Sequence, residues 1–80
     1  MIGGDQIRMA RAALRWSIDD LAQHSSVGSR TIKRLEAVDD ITSANLSTIS
    51  KLKSCLEAAG IEFIGSPDDG PGIRIRVSKK

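Results

Sequence analysis

The sequence predicts a small, mainly α-helical protein that ends in a β-hairpin. Apolar residues recur with the three-and-four spacing of a helix face in four segments between residues 5 and 59. From residue 61 the pattern changes to the alternation of strands. A chain of 80 residues buries only about 60% of its unfolded surface, which suffices for one core and not for two. We therefore expect one compact domain, with a helical bundle over residues 1–60 and a hairpin over residues 61–80.

The composition favours a globular protein of a reducing compartment. Hydrophobic residues make up 40% of the chain and charged residues 28%, and no apolar run approaches the roughly 18 residues of a membrane span. The chain does not open with the basic and apolar regions of a secretory signal, and its single cysteine, Cys55, cannot form an internal disulfide. We expect a cytoplasmic protein without a membrane partner. A net charge of +2 supports nucleic-acid binding only weakly by itself.

The first helix is predicted from Asp5 to Leu14. Ile7, Ala10 and Leu14 lie on one face, and Asp5 is a suitable N-cap. The other face carries a stripe of three basic residues, Arg8, Arg11 and Arg15. This stripe is either a solvated face or a set of phosphate contacts.

The second helix is predicted to begin after Ser17 and to run to about His24. Ser17 and Asp20 have the spacing of a capping box, and Trp16 is placed to pack on Leu21 as a hydrophobic staple.

A third helix follows, with Gly28 in the cap position, and ends near Glu36. Val27 precedes the cap and is placed to pack on Ile32.

A long fourth helix and two strands complete the prediction. Ser43 and Asn45 are suitable caps for this helix, and Gly60 is a suitable left-handed C-cap. Its apolar face comprises Leu46, Ile49, Leu52, Leu56 and Ala59. The strands are expected at Ile61 to Ile64 and Ile73 to Val77, with a turn from Gly65 to Gly72 between them.

The segment from Ile18 to Leu35 is the most informative for function. It places two short helices on either side of a connection too short for an antiparallel arrangement, with a small residue, Ala22, where the helices approach. Four residues are predicted to point inward and fix the crossing: Leu21, Val27, Ile32 and Leu35. This arrangement presents the outer face of the third helix on a rigid support. A helix of this kind fits the DNA major groove, which is about 12 Å wide.

These residues resemble a known family. Trp-Ser-Ile-Asp-Asp-Leu-Ala at 16–22, Val27 and Thr-Ile-Lys-Arg-Leu-Glu at 31–36 are similar to the Cro/CI-type, or XRE, helix-turn-helix proteins. The match covers residues 5–60 and implies a lambda-repressor-like bundle of four to five helices whose third helix reads the major groove. Leu-Glu-Ala-Ala-Gly-Ile-Glu-Phe-Ile and Gly-Pro-Gly-Ile-Arg-Ile-Arg in the tail also resemble short phage-associated or chromosomal members with a C-terminal hairpin.

The resemblance implies roles for two sets of residues. The expected base-reading residues are Ser29, Arg30, Lys33 and Arg34. The expected phosphate contacts are Ser17, Thr31, Asn45, Ser47, Thr48 and Lys51. The chain departs from the family pattern twice: Ile18 stands where many members have a DNA-contacting Gln, and Ser26 where many have Gly. A non-glycine residue at positive φ costs roughly 1 kcal/mol, so either Ser26 bears that strain or Gly28 takes it up.

We therefore expect a sequence-specific double-stranded DNA-binding transcriptional regulator, a repressor or autoregulator that acts as a homodimer on a palindromic operator. Because a lone hairpin is marginal in water, its apolar residues must either lie on the bundle or pair with a second chain. The expected dimer contacts are Ile61, Phe63, Ile73, Ile75 and Val77. The alternative is a protein-interaction module, in which the same bundle binds a toxin or a polymerase subunit.

The sequence does not favour an enzyme. His24 and Cys55 are the only histidine and cysteine, and there is no paired-carboxylate, metal-ligand or phosphate-binding glycine motif. We expect neither a cofactor nor a metal, with His24 solvated or lightly packed and Cys55 acting as a small, buried or half-buried hydrophobic residue.

Overall fold

The computed structural model describes residues 2–37, 46–66 and 69–76. Four helices are followed by two antiparallel strands, which confirms the mainly α architecture with a C-terminal hairpin. The elements are α1 (Gly4–Leu14), α2 (Ile18–Ser25), α3 (Ser29–Glu36), α4 (Leu46–Ala58), β1 (Ile61–Ser66) and β2 (Asp69–Ile75). The predicted caps Ser43 and Asn45 and the predicted strand residue Val77 lie outside the described residues.

The core joins all four helices to the hairpin. Its buried hydrophobic members are Ile2, Ile7, Ala10, Leu21, Val27, Ile32, Leu35, Ile49, Leu52, Leu56 and Ile61. The four residues predicted to fix the crossing of α2 and α3 are all among them, and Ala22 packs against this cluster. None of the helices in the described ranges is long and apolar enough to cross a membrane.

The start of α1 differs from the prediction. The cap is Gly3, and Asp5 lies inside the first helical turn. The side chain of Gln6 is fully buried, and its Oε1 accepts a hydrogen bond from the Gly3 backbone N–H at 2.9 Å. Its Nε2 donates to the carbonyls of Ile64 at 2.9 Å and Gly72 at 3.0 Å. Gln6 therefore ties the beginning of α1 to the hairpin.

The capping box predicted for α2 is confirmed. The Ser17 hydroxyl accepts from the Asp20 N–H at 3.0 Å, and the Asp20 carboxylate accepts from the Ser17 N–H at 2.9 Å. These hydrogen bonds hold the pKa of Asp20 below its ordinary value. The Trp16 ring, predicted to pack on Leu21, stacks on His24 with ring centroids 4.2 Å apart.

In the turn between α2 and α3, the strained residue with positive φ is Ser26. Ser26 is the left-handed C-cap of α2, with φ of 64°, whereas Gly28 has φ of −61° and caps α3 in extended conformation. Of the two predicted alternatives, the structure has the one in which Ser26 adopts the conformation that favours glycine.

The apolar face of α4 is shorter than predicted. Ile49, Leu52 and Leu56 are buried, but Leu46 is 66% exposed, and Ala59 is exposed and lies past the end of the helix. Gly60 has the predicted positive φ, at 105°. A Cβ at Gly60 would lie 2.9 Å from the Arg76 carbonyl oxygen, so this turn requires glycine for its close approach as well.

The hairpin is longer than predicted and its turn is shorter. Pairing runs from Ile61 opposite Ile75 to Ser66 opposite Asp69, with an irregularity at Gly65, where φ is 72°. Glycine is needed at Gly65 because a Cβ would lie 2.3 Å from the Gly70 carbonyl oxygen. The positive φ of Gly65 turns the chain so that the ladder continues into a region that composition alone assigned to the turn.

Candidate nucleic-acid interface

Helix α3 has two chemically different faces. Ile32, Leu35 and Glu36 are buried, and Ser29 and Thr31 are half-buried. The exposed face consists of Arg30, Lys33 and Arg34. Because residues three and four positions apart are neighbours on a helix surface, Arg30 lies beside both other cations. Three of the four predicted base-reading residues thus form one outward stripe, and Ser29 flanks it.

Among the described residues, no acid pairs with the basic stripe of α3. No ion pair joins Arg30, Lys33 or Arg34 to any residue in the described ranges, whereas Arg11, Lys53, Arg74 and Arg76 each pair with a carboxylate. The first turn of α3 contains no acidic residue, and its cap, Gly28, provides no side-chain hydrogen bond. The exposed start of α3 therefore combines the positive end of the helix dipole with cationic side chains.

A salt bridge fastens the other end of α3 to α1. Arg11 Nε donates to Glu36 Oε2 at 2.7 Å and Arg11 Nη2 to Glu36 Oε1 at 2.9 Å, a bidentate geometry. The side chains are only 21% and 7% exposed. The hydrogen bonds to Glu36 raise the pKa of Arg11 above its ordinary value, so the guanidinium stays charged.

Arg11 also contacts the backbone just before α2. Its Nη1 donates to the Trp16 carbonyl at 3.0 Å, just before α2, while Arg8 donates to the Glu36 carbonyl. The Arg11 guanidinium thus connects the backbone that leads into α2 with the last residue of α3. Arg11 departs from both sequence interpretations of the basic stripe on α1, because it is half-buried in internal contacts, whereas Arg8 and Arg15 are exposed. Only Arg15 is exposed without such a contact, at the left-handed C-cap of α1.

Sequence reasoning missed the partnership of Arg11 with Glu36, but it left a signal. A carboxylate at the last position of a helix opposes the helix dipole. Such a residue is stabilised by a nearby cation, and the arginine stripe on α1 was one available source.

The predicted phosphate contacts lie on several elements of the fold. The Ser17 hydroxyl is engaged in the cap of α2, and the adjacent Asp19 and Asp20 are exposed acids that repel a phosphate. On α4, Ser47 and Lys51 are exposed and Thr48 is half-buried. Thr31 is half-buried on α3, and Asn45 lies outside the described residues. Lys51 thus remains the cationic candidate on α4 and Thr31 the candidate on α3.

The hairpin packs on its own bundle. Ile61 is 1% exposed, so its assignment to a dimer contact is corrected, because its side chain lies within the core of its own chain. Phe63 and Ile73 are partly buried against the same core, while Ile75 is 56% exposed. Val77 lies outside the described residues. Of the four predicted contacts that the structure describes, only Ile75 offers a largely exposed side chain.

An open pocket lies between α2 and α4, lined by Trp16, His24, Cys55, Ala58 and Ala59, with a volume of about 360 Å³. Cys55 is half-buried there, and burial raises the pKa of its thiol, which disfavours the reactive thiolate. Within the described ranges, no three His, Cys, Asp or Glu side chains form a group that could hold a metal ion.

Comparison of the chain with protein-family models, with curated proteins and with solved structures found no match.

Proposed function

We propose that this chain is a lambda-repressor-like helix-turn-helix protein that binds double-stranded DNA sequence-specifically and regulates transcription as a homodimer. Helix α3 enters the major groove, and the dimer covers a palindromic operator, where it blocks or recruits polymerase. In this proposal Arg30, Lys33 and Arg34 contact base edges and Lys51 contacts a phosphate.

The observation that carries the proposal is the exposed basic stripe on α3, which pairs with no acid of the described residues. Like charges at these helical spacings destabilise a helix by roughly 0.2–0.5 kcal/mol per pair. The stripe contains two such pairs, from Arg30 to Lys33 and from Arg30 to Arg34, and no acid of the described residues relieves them. A phosphate-lined groove offsets this cost, and arginine bonds guanine bidentately.

The support behind α3 adds a second argument. A reading helix must be held rigidly if its side chains are to distinguish bases. Ile32 and Leu35 lie in the core, and the Arg11 salt bridge fixes the C-terminal end of the helix. The exposed side chains of α3 therefore project from a fixed base, and the start of the helix is left open.

The proposal is tested by selecting duplexes from a randomised library with the full chain, then measuring affinity for the winning sequence by fluorescence anisotropy at two salt concentrations. We expect Arg30→Ala to lose about 1–3 kcal/mol of discrimination at one base pair, that is, roughly 5- to 150-fold. Lys51→Ala should weaken all sequences alike and reduce the dependence on salt.

Lys53→Ala is the matched control. Lys53 is a partly exposed lysine on α4, its Nζ 4.0 Å from a Glu57 carboxylate oxygen, and it is outside the proposed interface. Its replacement should leave affinity unchanged. If the double variant Arg30→Ala/Lys33→Ala binds the selected duplex as the parent chain does, the DNA proposal fails, and the protein-interaction module becomes the better interpretation.

A further inference from the structure

The open pocket between α2 and α4, which we call the ring pocket, combines two large rings with three small side chains. The rings are those of Trp16 and His24, and the small side chains are Cys55, Ala58 and Ala59. The Ala59 N–H donates to the Cys55 carbonyl at 3.2 Å, so the helical path continues to Ala59 and the three small residues share one side of it. Because the two alanines end at Cβ, the space beside the rings is left unfilled. Ala59, which was predicted to lie on the core face of α4, lines this pocket instead.

The two rings are fixed by contacts within the protein. They stack with their centroids 4.2 Å apart and their planes 5° from parallel. Trp16 also packs against the hydrophobic core, and its carbonyl accepts a hydrogen bond from Arg11 Nη1. An aromatic surface that is already in place lowers the entropic cost of binding a ligand.

The polar atoms of these rings are available for hydrogen bonding. Within the described ranges, no hydrogen bond engages the Trp16 indole N–H or either ring nitrogen of His24. An indole N–H only donates, and a neutral imidazole has one donor and one acceptor. The two rings therefore offer N–H donors to a ligand that carries a hydrogen-bond acceptor.

The lining provides no fixed charge. Among the described residues that line the ring pocket there is no lysine, arginine, aspartate or glutamate. Burial raises the pKa of the Cys55 thiol, so this group also stays uncharged at neutral pH. An ionic ligand would lose hydration here without meeting an opposite charge, so the lining favours an uncharged one.

We propose that the ring pocket binds an uncharged heteroaromatic molecule of one or two fused rings. Its volume of about 360 Å³ lies at the lower end of the range for small-molecule sites, roughly 300–1,000 Å³, which limits the size of the ligand. The aromatic lining favours a flat π-surface, and an acceptor atom in the ligand ring accepts from the indole or the imidazole N–H. The inference goes beyond the proposed function and does not rest on it, because none of the lining residues belongs to α3.

The probe is indazole, an uncharged heterocycle of two fused rings, titrated into the full isotope-labelled chain and followed by heteronuclear NMR. Trp16 is the only tryptophan of the chain, so its indole N–H gives one identifiable signal. We expect this signal to shift saturably, with a dissociation constant on the order of 1 mM for a ligand of this size. Cyclohexanol, an uncharged ring without a π-system, should bind roughly tenfold more weakly.

Ala58→Leu and Ala59→Leu, made separately, test where indazole binds, because each fills the ring pocket from an exposed position. Either should weaken indazole binding by roughly tenfold or more, while thermal unfolding shows that the chain still folds. Ala12→Leu is the matched control, since Ala12 is an exposed alanine of α1 outside the lining, and it should bind as the parent chain does.

Three results overturn the proposal, whatever the DNA titration shows. The first is the absence of a saturable shift of the Trp16 signal up to roughly 10 mM indazole. The second is equal binding of indazole and cyclohexanol. The third is equal affinity of the filling variants and Ala12→Leu for indazole, because the probe would then bind elsewhere on the chain.

Discussion

Replacing Arg11 by methionine tests how strongly α3 is held. Methionine preserves an unbranched apolar stem and removes the guanidinium, which leaves the 7%-exposed Glu36 side chain without its cation. Removing one partner of a buried ion pair costs about 3–5 kcal/mol. Because the Arg11 side chain is 21% exposed, water reaches part of the pair, and we expect the lower end, about 3 kcal/mol.

The stability lost in Arg11→Met is large compared with the total free energy of unfolding of the chain. At about 0.05–0.15 kcal/mol per residue, a chain of 80 residues has a total stability of about 4–12 kcal/mol. The expected loss therefore removes a quarter or more of it. The midpoint of thermal unfolding should fall by about 12–24 °C, at about 4–8 °C per kcal/mol.

The double variant Arg11→Met/Glu36→Leu distinguishes the buried charge from the loss of packing. It replaces the pair by apolar side chains, a change that is often neutral or stabilising. The hydrogen bond from Arg11 to the Trp16 carbonyl is still lost, at a cost of about 1 kcal/mol. We therefore expect the double variant to recover most of the lost stability and to remain about 1 kcal/mol below the parent chain.

Urea and thermal denaturation followed by circular dichroism measure both variants, with Lys53→Met as a surface control. The reasoning is refuted if Arg11→Met costs less than 1 kcal/mol, an order-of-magnitude threshold set by exposed ion pairs. It is equally refuted if the double variant is no more stable than the single one, because the penalty would then not arise from an unpaired carboxylate.

Three further predictions concern local structure. Ser26→Gly should raise the urea midpoint by an amount equivalent to about 0.5–1 kcal/mol, because it relieves a left-handed residue, and an unchanged midpoint would contradict that. Gln6→Leu should cost about 1–3 kcal/mol, since it leaves the buried Gly3 N–H unpaired and removes two part-buried hydrogen bonds to the Ile64 and Gly72 carbonyls; hydrogen exchange should quicken in the hairpin before α2. Asp20→Asn should flatten the stability profile in acid: the lowered pKa of Asp20 means that its cap stabilises the fold at neutral pH and loses that effect as pH falls below the ordinary pKa of the carboxyl and through the lowered one. Parallel acid-unfolding profiles of the two proteins would contradict this explanation.

Local chemistry made much of the helical fold predictable. The capping box of α2, the positive φ of Gly60 and the inward positions of Ile32 and Leu35 all follow from short-range spacing. The exposed stripe of α3 was predictable for the same reason, because the helical period alone separates it from the buried side.

What failed depends on contacts between distant parts of the chain. Gln6 reads as a polar residue near an N-terminus, and only the hairpin carbonyls 58 and 66 positions away explain its burial. From the sequence, Ile61 is a strand residue without an identified partner, and only the folded structure shows that the bundle buries it. Arg11 presented a similar difficulty, since its partner lies 25 positions away. Periodicity records which face is apolar, but not which polar side chain on the other face finds a partner.

The division of α3 into a buried side and an outward side separates positions that can change independently from positions that must change together. Substitutions at Arg30, Lys33 or Arg34 leave the core untouched, so under the proposed function a lineage is free to retarget such a protein to new operators without first acquiring compensating changes elsewhere. Descendants of one scaffold should then diverge fastest at these three positions, while Arg11 and Glu36 change only together.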